Sequence, residues 1–327
     1  KAAQLKREGK KVIGLSAGEP DFDTPDHIKK AAINAIEKGF TKYTNVEGIP
    51  ELRQAIVDKF KRDNNLDYKI NDVIVSSGGK QILYNALMSS INPNDEVIIP
   101  SPYWVSYPDM TLLAGGKPVV INCTSETGFK LTADALSKVL TEKSKWLILN
   151  SPSNPTGACY SKAELESIAE VVRKHENLFV MTDDIYEYIV YDDFDFFTFA
   201  QVAPDLKERT LTVNGVSKSH CMTGWRIGYA VGPSLLIKAM IKIQGQSTSN
   251  ASSISQYAAL AGISGSMDFL EPCLKAFDER RKYVVNKLNS IPGISCIMPE
   301  GAFYAYPDIS GLIGKKTIDG KILNSDT

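Results

Sequence analysis

Short apolar runs alternate along the chain with longer segments in which apolar residues recur every three or four positions. The short runs are rich in β-branched residues and end at turn-forming residues, so they predict strands. They lie at residues 73–75, 96–100, 117–122, 146–150, 179–181, 210–213 and 227–231. Helical segments separate most of these runs, which predicts an α/β fold with a mostly parallel sheet and helices on both faces.

The two ends of the chain depart from this alternation and predict a second, smaller α+β unit. Residues 12–18 predict a short strand, and residues 293–310 predict further strands after a largely helical stretch. We therefore expect a large domain over residues 27–281 and a discontinuous small domain over 1–26 and 282–327. Both ends are expected to be truncated, since the chain starts within a charged helical run and stops without a closing element.

Two helix starts have local capping signals. Thr24 is expected to cap a helix that begins near Asp26, where a preceding proline fits the first turn and the acid favours the helix dipole. The apolar face of that helix is expected to bury Ile28, Ala32, Ala35 and Ile36. Ser161 and Glu164 have the spacing of a capping box, which predicts a helix over residues 163–175.

The charge balance narrows the classes of partner. The 327 residues include 37 basic and 38 acidic ones, for a net charge of -1, so no basic excess is present to bind nucleic acid. No apolar stretch is long enough to span a bilayer and no signal peptide opens the chain, which predicts no membrane association. The cysteines and histidines lack metal-ligand spacing, so we expect reduced thiols, no metal and a cytoplasmic location.

Lys218 follows the predicted strand 210–213 and an Asn-Gly turn, and Arg226 lies in the next loop. A lysine at a strand end of an α/β sheet faces the crevice where such sheets bind ligands. A buried lysine amine can attack a carbonyl carbon, and an arginine suits a phosphate. Pyridoxal phosphate has both a carbonyl group and a phosphate, so it is the candidate ligand. The alternative is a surface lysine and an arginine in an ordinary ion pair.

Glycines and a lysine follow the strand predicted at 73–75. Gly78, Gly79 and Lys80 precede a helix, and backbone N–H groups at a helix start bind phosphate, which glycine allows to approach closely. A nucleoside triphosphate loop is excluded because Gln81 follows the lysine, where that motif needs serine or threonine. An ordinary turn between a strand and a helix is the alternative.

Three further strand ends have side chains suited to a flat aromatic cofactor. Trp104 can stack on a ring, and Asn154, whose backbone is fixed by flanking prolines, can donate to a phenolate oxygen. Asp183 can pair with a protonated pyridine nitrogen, which makes the ring an electron sink, and Tyr186 lies close by in sequence. Each side chain also has a purely structural interpretation: the tryptophan can belong to the core, the asparagine can form a turn, and the aspartate can be a solvated acid at a strand end. Parallel strands end at one edge, so we expect these side chains to gather there.

Five motifs occur in one order along the chain: SGGK, SPYWVSYPDM, NSPSNPTG, TDDIYE and NGVSKSHCMTGWRIGY. In them the chain resembles the class I/II pyridoxal-phosphate-dependent aminotransferases of fold type I, and it is most similar to their bacterial aspartate aminotransferase subgroup. The resemblance covers nearly the whole chain. It implies a mostly parallel seven-stranded sheet sandwiched by helices, with a second, smaller α+β domain.

The resemblance assigns roles around the cofactor ring. Lys218 matches the lysine that binds the cofactor aldehyde and later carries the proton taken from the substrate Cα. Asp183 matches the partner of the pyridinium nitrogen. Asn154 and Tyr186 match the pair that hydrogen-bonds the ring hydroxyl oxygen, and Trp104 matches the stacking aromatic. Lys218, Asp183 and Tyr186 are therefore the expected catalytic residues.

The resemblance also assigns the phosphate contacts. Gly78, Gly79 and Lys80 match a loop that gives backbone donors, and Arg226 matches the charged clamp. Many relatives place a serine three residues before the lysine, and this chain has glycine there, so Ser217 is expected to substitute.

The resemblance implies an active site shared within a homodimer. Tyr43 matches a tyrosine that reaches the phosphate of the neighbouring subunit. Gly18 matches the loop that closes over the substrate carboxylate, and Trp104 and Asn154 are also expected to contact substrate. The family's arginine for the substrate α-carboxylate is expected beyond residue 327, so a chain ending there is expected to bind cofactor poorly and turn over slowly.

The implied reaction is transamination between L-aspartate and 2-oxoglutarate, giving oxaloacetate and L-glutamate with ping-pong kinetics. The alternatives on this fold are aminotransferases for aromatic amino acids, prephenate or alanine, and pyridoxal-phosphate-dependent lyases. A non-enzymatic regulator is disfavoured because the chain has no basic helix-turn-helix segment. Arg280 and Arg281 are expected on a helix surface, outside the site.

Overall fold

Seven strands form one sheet at the centre of the fold. The structure is a computed structural model that describes residues 2–15 and 17–325. The strands are β1 (Val73–Ser76), β2 (Glu96–Ser101), β3 (Lys117–Asn122), β4 (Ser144–Asn150), β5 (Phe179–Asp183), β6 (Thr210–Gly215) and β7 (Gly228–Val231). Their order across the sheet is β1-β7-β6-β5-β4-β2-β3. β7 runs antiparallel to both neighbours and the other pairs of β2 to β6 are parallel, which confirms the predicted sheet.

Helices cover the sheet on both faces. They are α1 (Ala2–Arg7), α2 (Asp26–Glu37), α3 (Pro50–Asn64), α4 (Gly79–Ser90), α5 (Ser106–Leu113), α6 (Ala133–Val139), α7 (Lys162–Arg173), α8 (Phe199–Val202), α9 (Ser234–Ser247), α10 (Ser253–Ser264) and α11 (Leu270–Asn289). Along β4, Leu147 and Leu149 enter one hydrophobic core, while Trp146 and Ile148 enter another. This two-sided burial explains why the strands are continuous apolar runs. Among the described helices, none has the length and hydropathy needed to cross a membrane.

One of the two predicted caps is present. Ser161 Oγ accepts from the Glu164 backbone N–H, and Glu164 Oε2 accepts from the Ser161 N–H at 2.8 Å, so the capping box is confirmed. The predicted Thr24 cap is wrong, although α2 begins at Asp26. The Thr24 hydroxyl instead donates to the Cys221 carbonyl at 2.6 Å and accepts from Trp225 Nε1, so tertiary partners replace the local one.

The predicted burial of α2 is confirmed at three of its four positions. Ile28, Ala32 and Ala35 lie in the core, whereas Ile36 is exposed. The face of α2 that neighbouring elements cover is therefore narrower than the apolar face that the sequence predicted.

The strand predicted at residues 12–18 is wrong for the part of it that the structure describes, residues 12–15 and 17–18. No strand is present there, and Ile13 and Leu15 are 87% and 92% exposed. An apolar run becomes a strand only where a neighbouring strand accepts its backbone hydrogen bonds, and this segment has none in the described part of the chain.

The region after α11 contains two short strands, β8 (Ser295–Cys296) and β9 (Pro307–Asp308), which pair antiparallel in a separate sheet. They confirm strands within residues 293–310. The expected division between residues 281 and 282 lies inside α11 and stays a prediction, as does the rest of the two-domain partition.

Arg281 corrects the expectation that both arginines of α11 lie on the surface. Its guanidinium is buried, where it donates to the Pro299 carbonyl and to Asp192 Oδ2, both at 2.8 Å, and also pairs with Asp278. Arg280 is exposed as expected and pairs with Asp21. The charged sequence around Arg281 conceals its burial because its partners come from distant loops as well as from its own helix.

Candidate active site

The carboxyl ends of five strands open into one cavity of about 600 Å³. Loops after β1, β2, β4, β5 and β6 line it, and residues 17–19 and Tyr304 complete the wall. The predicted site residues in this lining are Gly18, Gly79, Lys80, Trp104, Asn154, Asp183, Tyr186, Ser217, Lys218 and Arg226. The shared strand direction therefore brings together the side chains that the sequence places far apart.

Lys218 lies partly buried in the loop after β6. Its Nζ donates to the Gly18 carbonyl and lies 5.8 Å from the centre of the Tyr186 ring. Burial is the main cause that lowers the pKa of Lys218; the Asp183 and Glu19 carboxylates oppose this, and Arg226 adds to the lowering. Burial therefore shifts the Lys218 amine toward its neutral form, which is the nucleophilic one.

Asp183 ends β5 at the floor of the cavity and is 8% exposed. Burial raises its pKa to about 6, against the opposing effects of a Tyr107 hydrogen bond, the Ile185 backbone N–H and the Lys218 charge. The Tyr107 phenol donates to Asp183 Oδ2 at 2.8 Å. A carboxylate held in this way suits a cationic partner in the cavity, because a positive charge there favours its ionised form.

Asn150 links two of the predicted site residues. Its Nδ2 donates to the Asp183 carbonyl, and its Oδ1 accepts from the Asn154 backbone N–H, both at 2.7 Å. The Asn154 side chain donates to Tyr304 Oη at 3.3 Å, and that hydroxyl is also hydrogen-bonded to Tyr186 Oη. These phenol and amide groups form a polar corner of the cavity.

An anion site lies at the start of α4. Gly78 has φ +91°, and a Cβ built on it would lie 2.3 Å from Arg226 Nη2, so only glycine lets the guanidinium approach this loop. The helix begins at the next residue, where free N–H groups and the helix dipole favour negative charge. Ser217 is buried in the same cavity wall. These groups suit a phosphate.

The side chains of Trp104 and Lys80 form another wall. Lys80 Nζ lies 4.7 Å from the centre of the Trp104 ring, and Trp104 packs edge-on against Tyr107 with ring centroids 5.5 Å apart. In the part of the chain that the structure describes, Lys80 has no ion pair. The cavity therefore has a cation that is free to meet an acidic ligand.

Tyr43 is the predicted site residue that the structure does not bring to the cavity. Its side chain is 91% exposed and is absent from the cavity lining. Gly78 also lies outside that lining, but a Cβ built on it would meet the guanidinium of Arg226, which does line the cavity.

Among the cavity residues that were not predicted, Tyr107, Asn150 and Tyr304 are hydrogen-bonded to predicted site residues. Tyr107 and Asn150 lie within motifs that the sequence had already singled out; Asn150 shows the signal of a polar side chain at a strand end, whereas Tyr107 lies in α5. Tyr304 had no such signal, because it follows no strand of the central sheet and reaches the cavity from the β8–β9 region.

Comparison with known proteins identifies the family. The model for class I and II aminotransferases matches residues 10–324. The chain belongs to this family. An aspartate/prephenate aminotransferase from Cereibacter sphaeroides is 59% identical over 326 residues, which are 100% of this chain and 82% of that protein. An aspartate aminotransferase from Rhizobium meliloti is 54% identical over 100% of this chain and 80% of its own length.

Solved structures of aminotransferases have the same fold. The crystal structure of aspartate aminotransferase from Rhizobium meliloti gives a TM-score of 0.96 at 54% identity, over 99% of this chain and 81% of that one. Aspartate aminotransferase from Thermus thermophilus with maleate gives 0.91 at 43% identity, over 95% and 81%. The fold is therefore fold type I, as the sequence predicts.

Class I and II aminotransferases depend on pyridoxal 5′-phosphate, and the donors of this cavity fit that cofactor. The cradle between Gly78 and Arg226 suits its phosphate, and the Lys218 amine suits its aldehyde. Asp183 offers a buried carboxylate for the ring nitrogen. The phosphate, the aldehyde and the ring nitrogen of the cofactor thus each have a chemically matched partner in the aminotransferase cavity.

The burial of Asp183 is expected to reduce stability at neutral pH. Its pKa of about 6 exceeds the ordinary 3.8, so the folded protein binds this proton more tightly than the unfolded chain. Stability should therefore fall between about pH 4 and about pH 6, by about 3 kcal/mol. We expect Asp183→Asn to match the wild type near pH 4 and to exceed its free energy of unfolding by about that amount near pH 8.

Urea titrations of the cofactor-free protein at both pH values measure this difference. The exposed Asp134→Asn serves as the control and should show no such pH-dependent gain. An equal offset for Asp183→Asn at both pH values would contradict the expected titration.

Proposed function

We propose that this aminotransferase transfers the amino group of L-aspartate to 2-oxoglutarate, giving oxaloacetate and L-glutamate. The observation that carries the proposal is the Lys80 ammonium beside Trp104 in the cavity, which has no ion pair within the described part of the chain. Aspartate, glutamate and their oxo acids all have a second carboxylate, and a cation in the site selects them over apolar amino acids. Relatives of this chain are named aspartate aminotransferase or aspartate/prephenate aminotransferase, which supports the same substrate.

Lys218 and Asp183 have the chemical roles in this proposal. Bound pyridoxal phosphate supplies an electron sink for the bond electrons released at the substrate Cα. Lys218 would hold the cofactor at its aldehyde carbon, and its Nζ, when free, would remove the substrate Cα proton. Asp183 keeps the ring nitrogen protonated. Tyr186 and Asn154 orient the ring by donating to its hydroxyl oxygen.

The remaining residues bind and orient. Trp104 stacks on the ring, and the backbone N–H groups at Gly78, Gly79 and Lys80 hold the phosphate, with Ser217 and Arg226. Gly18 brings a backbone segment against the amine of Lys218, where the structure has their hydrogen bond. This segment is proposed to close over the substrate.

Prephenate is a second candidate substrate, because relatives at 55–59% identity have names that include prephenate aminotransferase. The amino donors are compared in half-reactions, in which the absorbance of the bound cofactor is followed after addition of aspartate, glutamate, phenylalanine, alanine or cystathionine. The amino acceptors are compared in the reverse half-reaction with 2-oxoglutarate, oxaloacetate and prephenate. We expect exchange with aspartate and glutamate to be faster than exchange with phenylalanine or alanine. Exchange with phenylalanine or alanine alone, or elimination from cystathionine, would contradict the proposal.

Lys80→Met is expected to change substrate preference. Removing the cation should lower kcat/KM for aspartate about tenfold, the effect of losing a charge-assisted hydrogen bond. The value for phenylalanine should change little, because its side chain has no carboxylate. The two kcat/KM ratios measure the effect, with Lys138→Met on an exposed helix as the control. Equal losses for both amino acids would show that Lys80 does not select the acid.

We also propose a homodimer in which Tyr43 reaches the cofactor phosphate of the neighbouring subunit. Tyr43 is almost fully exposed in one chain, which leaves it available to a second. Coexpressed Lys218→Ala and Tyr43→Ala chains should be more active than either homodimer alone, because one site of the mixed dimer has both native residues. Mixed dimers with no more activity than the Tyr43→Ala protein would contradict the shared site. The cytoplasmic location stays a prediction.

A further inference from the structure

The Tyr107 phenol is a buried group whose contact with Asp183 the proposed roles leave unexplained. Tyr107 is 2% exposed and donates to Asp183 Oδ2 at 2.8 Å. Its own acidity is suppressed, because burial and the nearby Asp183 charge raise the pKa of the phenol. Tyr107 is therefore a donor, and Asp183 is the acceptor of this bond.

Packing fixes the direction of this donor. Tyr107 lies in the first turn of α5, with its ring against the edge of Trp104. Its carbonyl accepts from Thr111 Oγ1 at 2.9 Å, within the same helix. The ring contributes to the core that contains Ile148 and Met181 of the adjacent strands. A phenol held in this way has little freedom to leave the carboxylate, and no bulk water competes for it.

Charged and titratable groups approach Asp183 from several elements. Lys218 is the cation among them, and burial and the Asp183 charge raise the pKa of Tyr186, Tyr304 and the neighbouring Asp184. The Lys218 charge is lost whenever its amine is neutral, which the proposed chemistry requires. Among the residues that the structure describes, the donors to the Asp183 carboxylate that then remain are the Tyr107 phenol and the Ile185 backbone N–H.

We propose that Tyr107 is a positioning residue for the transamination proposed above, on which this inference rests. Its phenol occupies Oδ2 and keeps the Asp183 carboxylate ionised, so that Oδ1 is directed to the cofactor ring nitrogen. Tyr107 also packs against Trp104 while it donates to Asp183. One side chain therefore fixes both the residue that stacks on the cofactor ring and the residue that pairs with the ring nitrogen. Its effect on the cofactor is transmitted through Asp183.

Cofactor binding to the unloaded protein tests this route. Tyr107→Phe removes only the hydroxyl and should weaken pyridoxal phosphate binding about tenfold at neutral pH, as expected for a hydrogen bond to a charged group. An analogue with carbon in place of the ring nitrogen has no partner for Asp183, so its affinity should be unchanged. Tyr229→Phe, which alters a buried tyrosine of another core, is the matched control and should affect neither ligand. Equal weakening of both ligands by Tyr107→Phe would overturn the inference.

The pH dependence of the same binding equilibrium provides a second test. Cofactor affinity should fall on the acid side of its pH profile, and we call this fall the acid limb. In Tyr107→Phe, loss of the phenol donor should shift the acid limb to a pH about one unit higher. Incorporation of 3-fluorotyrosine at position 107 keeps the shape and strengthens the donor, so the limb should move down. This variant decides the question if the phenylalanine variant does not fold, and an unmoved limb overturns the inference. A wild-type protein that binds neither ligand overturns the proposed function itself.

Discussion

Lys218→Ala should abolish transamination, lowering turnover by at least about four orders of magnitude. One amine is proposed both to hold the cofactor and to move the substrate Cα proton, and general acid–base catalysis alone contributes about 10²–10⁴-fold. Alanine can do neither. The structure has no other lysine whose amine is both partly buried and hydrogen-bonded at residues 17–19, among the residues that it describes.

Borohydride reduction followed by peptide mapping measures the covalent part of this prediction. The wild type should retain a pyridoxyl group on the peptide that contains Lys218, and Lys218→Ala should retain none. Lys80→Met is the matched control, since it removes a second cavity lysine and should keep the tag. A tag on another peptide, or undiminished turnover by Lys218→Ala, would refute the assigned role of this amine.

The sheet could be predicted because both of its faces are buried. Strands such as β4 and β6 are then continuous apolar runs, and each ends at turn-forming residues that mark its boundary. The run at residues 12–18 has similar composition but no neighbouring strand in the described part of the chain. Whether an apolar run becomes a strand depends on tertiary pairing, which the local sequence does not contain.

Much of the site could be predicted for a related reason. Lys218, Asp183 and Asn154 each follow a strand, and strands that run in one direction end at the same edge. Tyr304 breaks this rule, since its hydroxyl meets Tyr186 across 118 positions of sequence. Arg281 likewise finds Asp192 across 89 positions, so a charged helix segment conceals a buried cation.

Asp183→Asn should lower turnover by about two to three orders of magnitude, the range for loss of one group that stabilises charge in a transition state. Asparagine keeps the shape and can still accept from Tyr107. It has no charge to hold the cofactor ring nitrogen protonated, and the ring then accepts electrons from the substrate Cα less readily. The carboxylate is unfavourable in the unloaded protein, where burial raises its pKa to about 6. The cost in stability and the gain in catalysis therefore come from the same buried charge.

Single-turnover rates with aspartate, together with cofactor affinity, separate this effect from simple loss of cofactor. Asp184→Asn is the matched control, because its carboxyl is equally buried but lies outside the cavity lining. Burial raises the pKa of that acid well above the ordinary value, and asparagine keeps the size and shape of the side chain. If the two variants lost equal activity, the effect would arise from removing any buried acid at this strand end. A loss confined to Asp183→Asn, at saturating cofactor, assigns the catalytic effect to the charge that faces the ring.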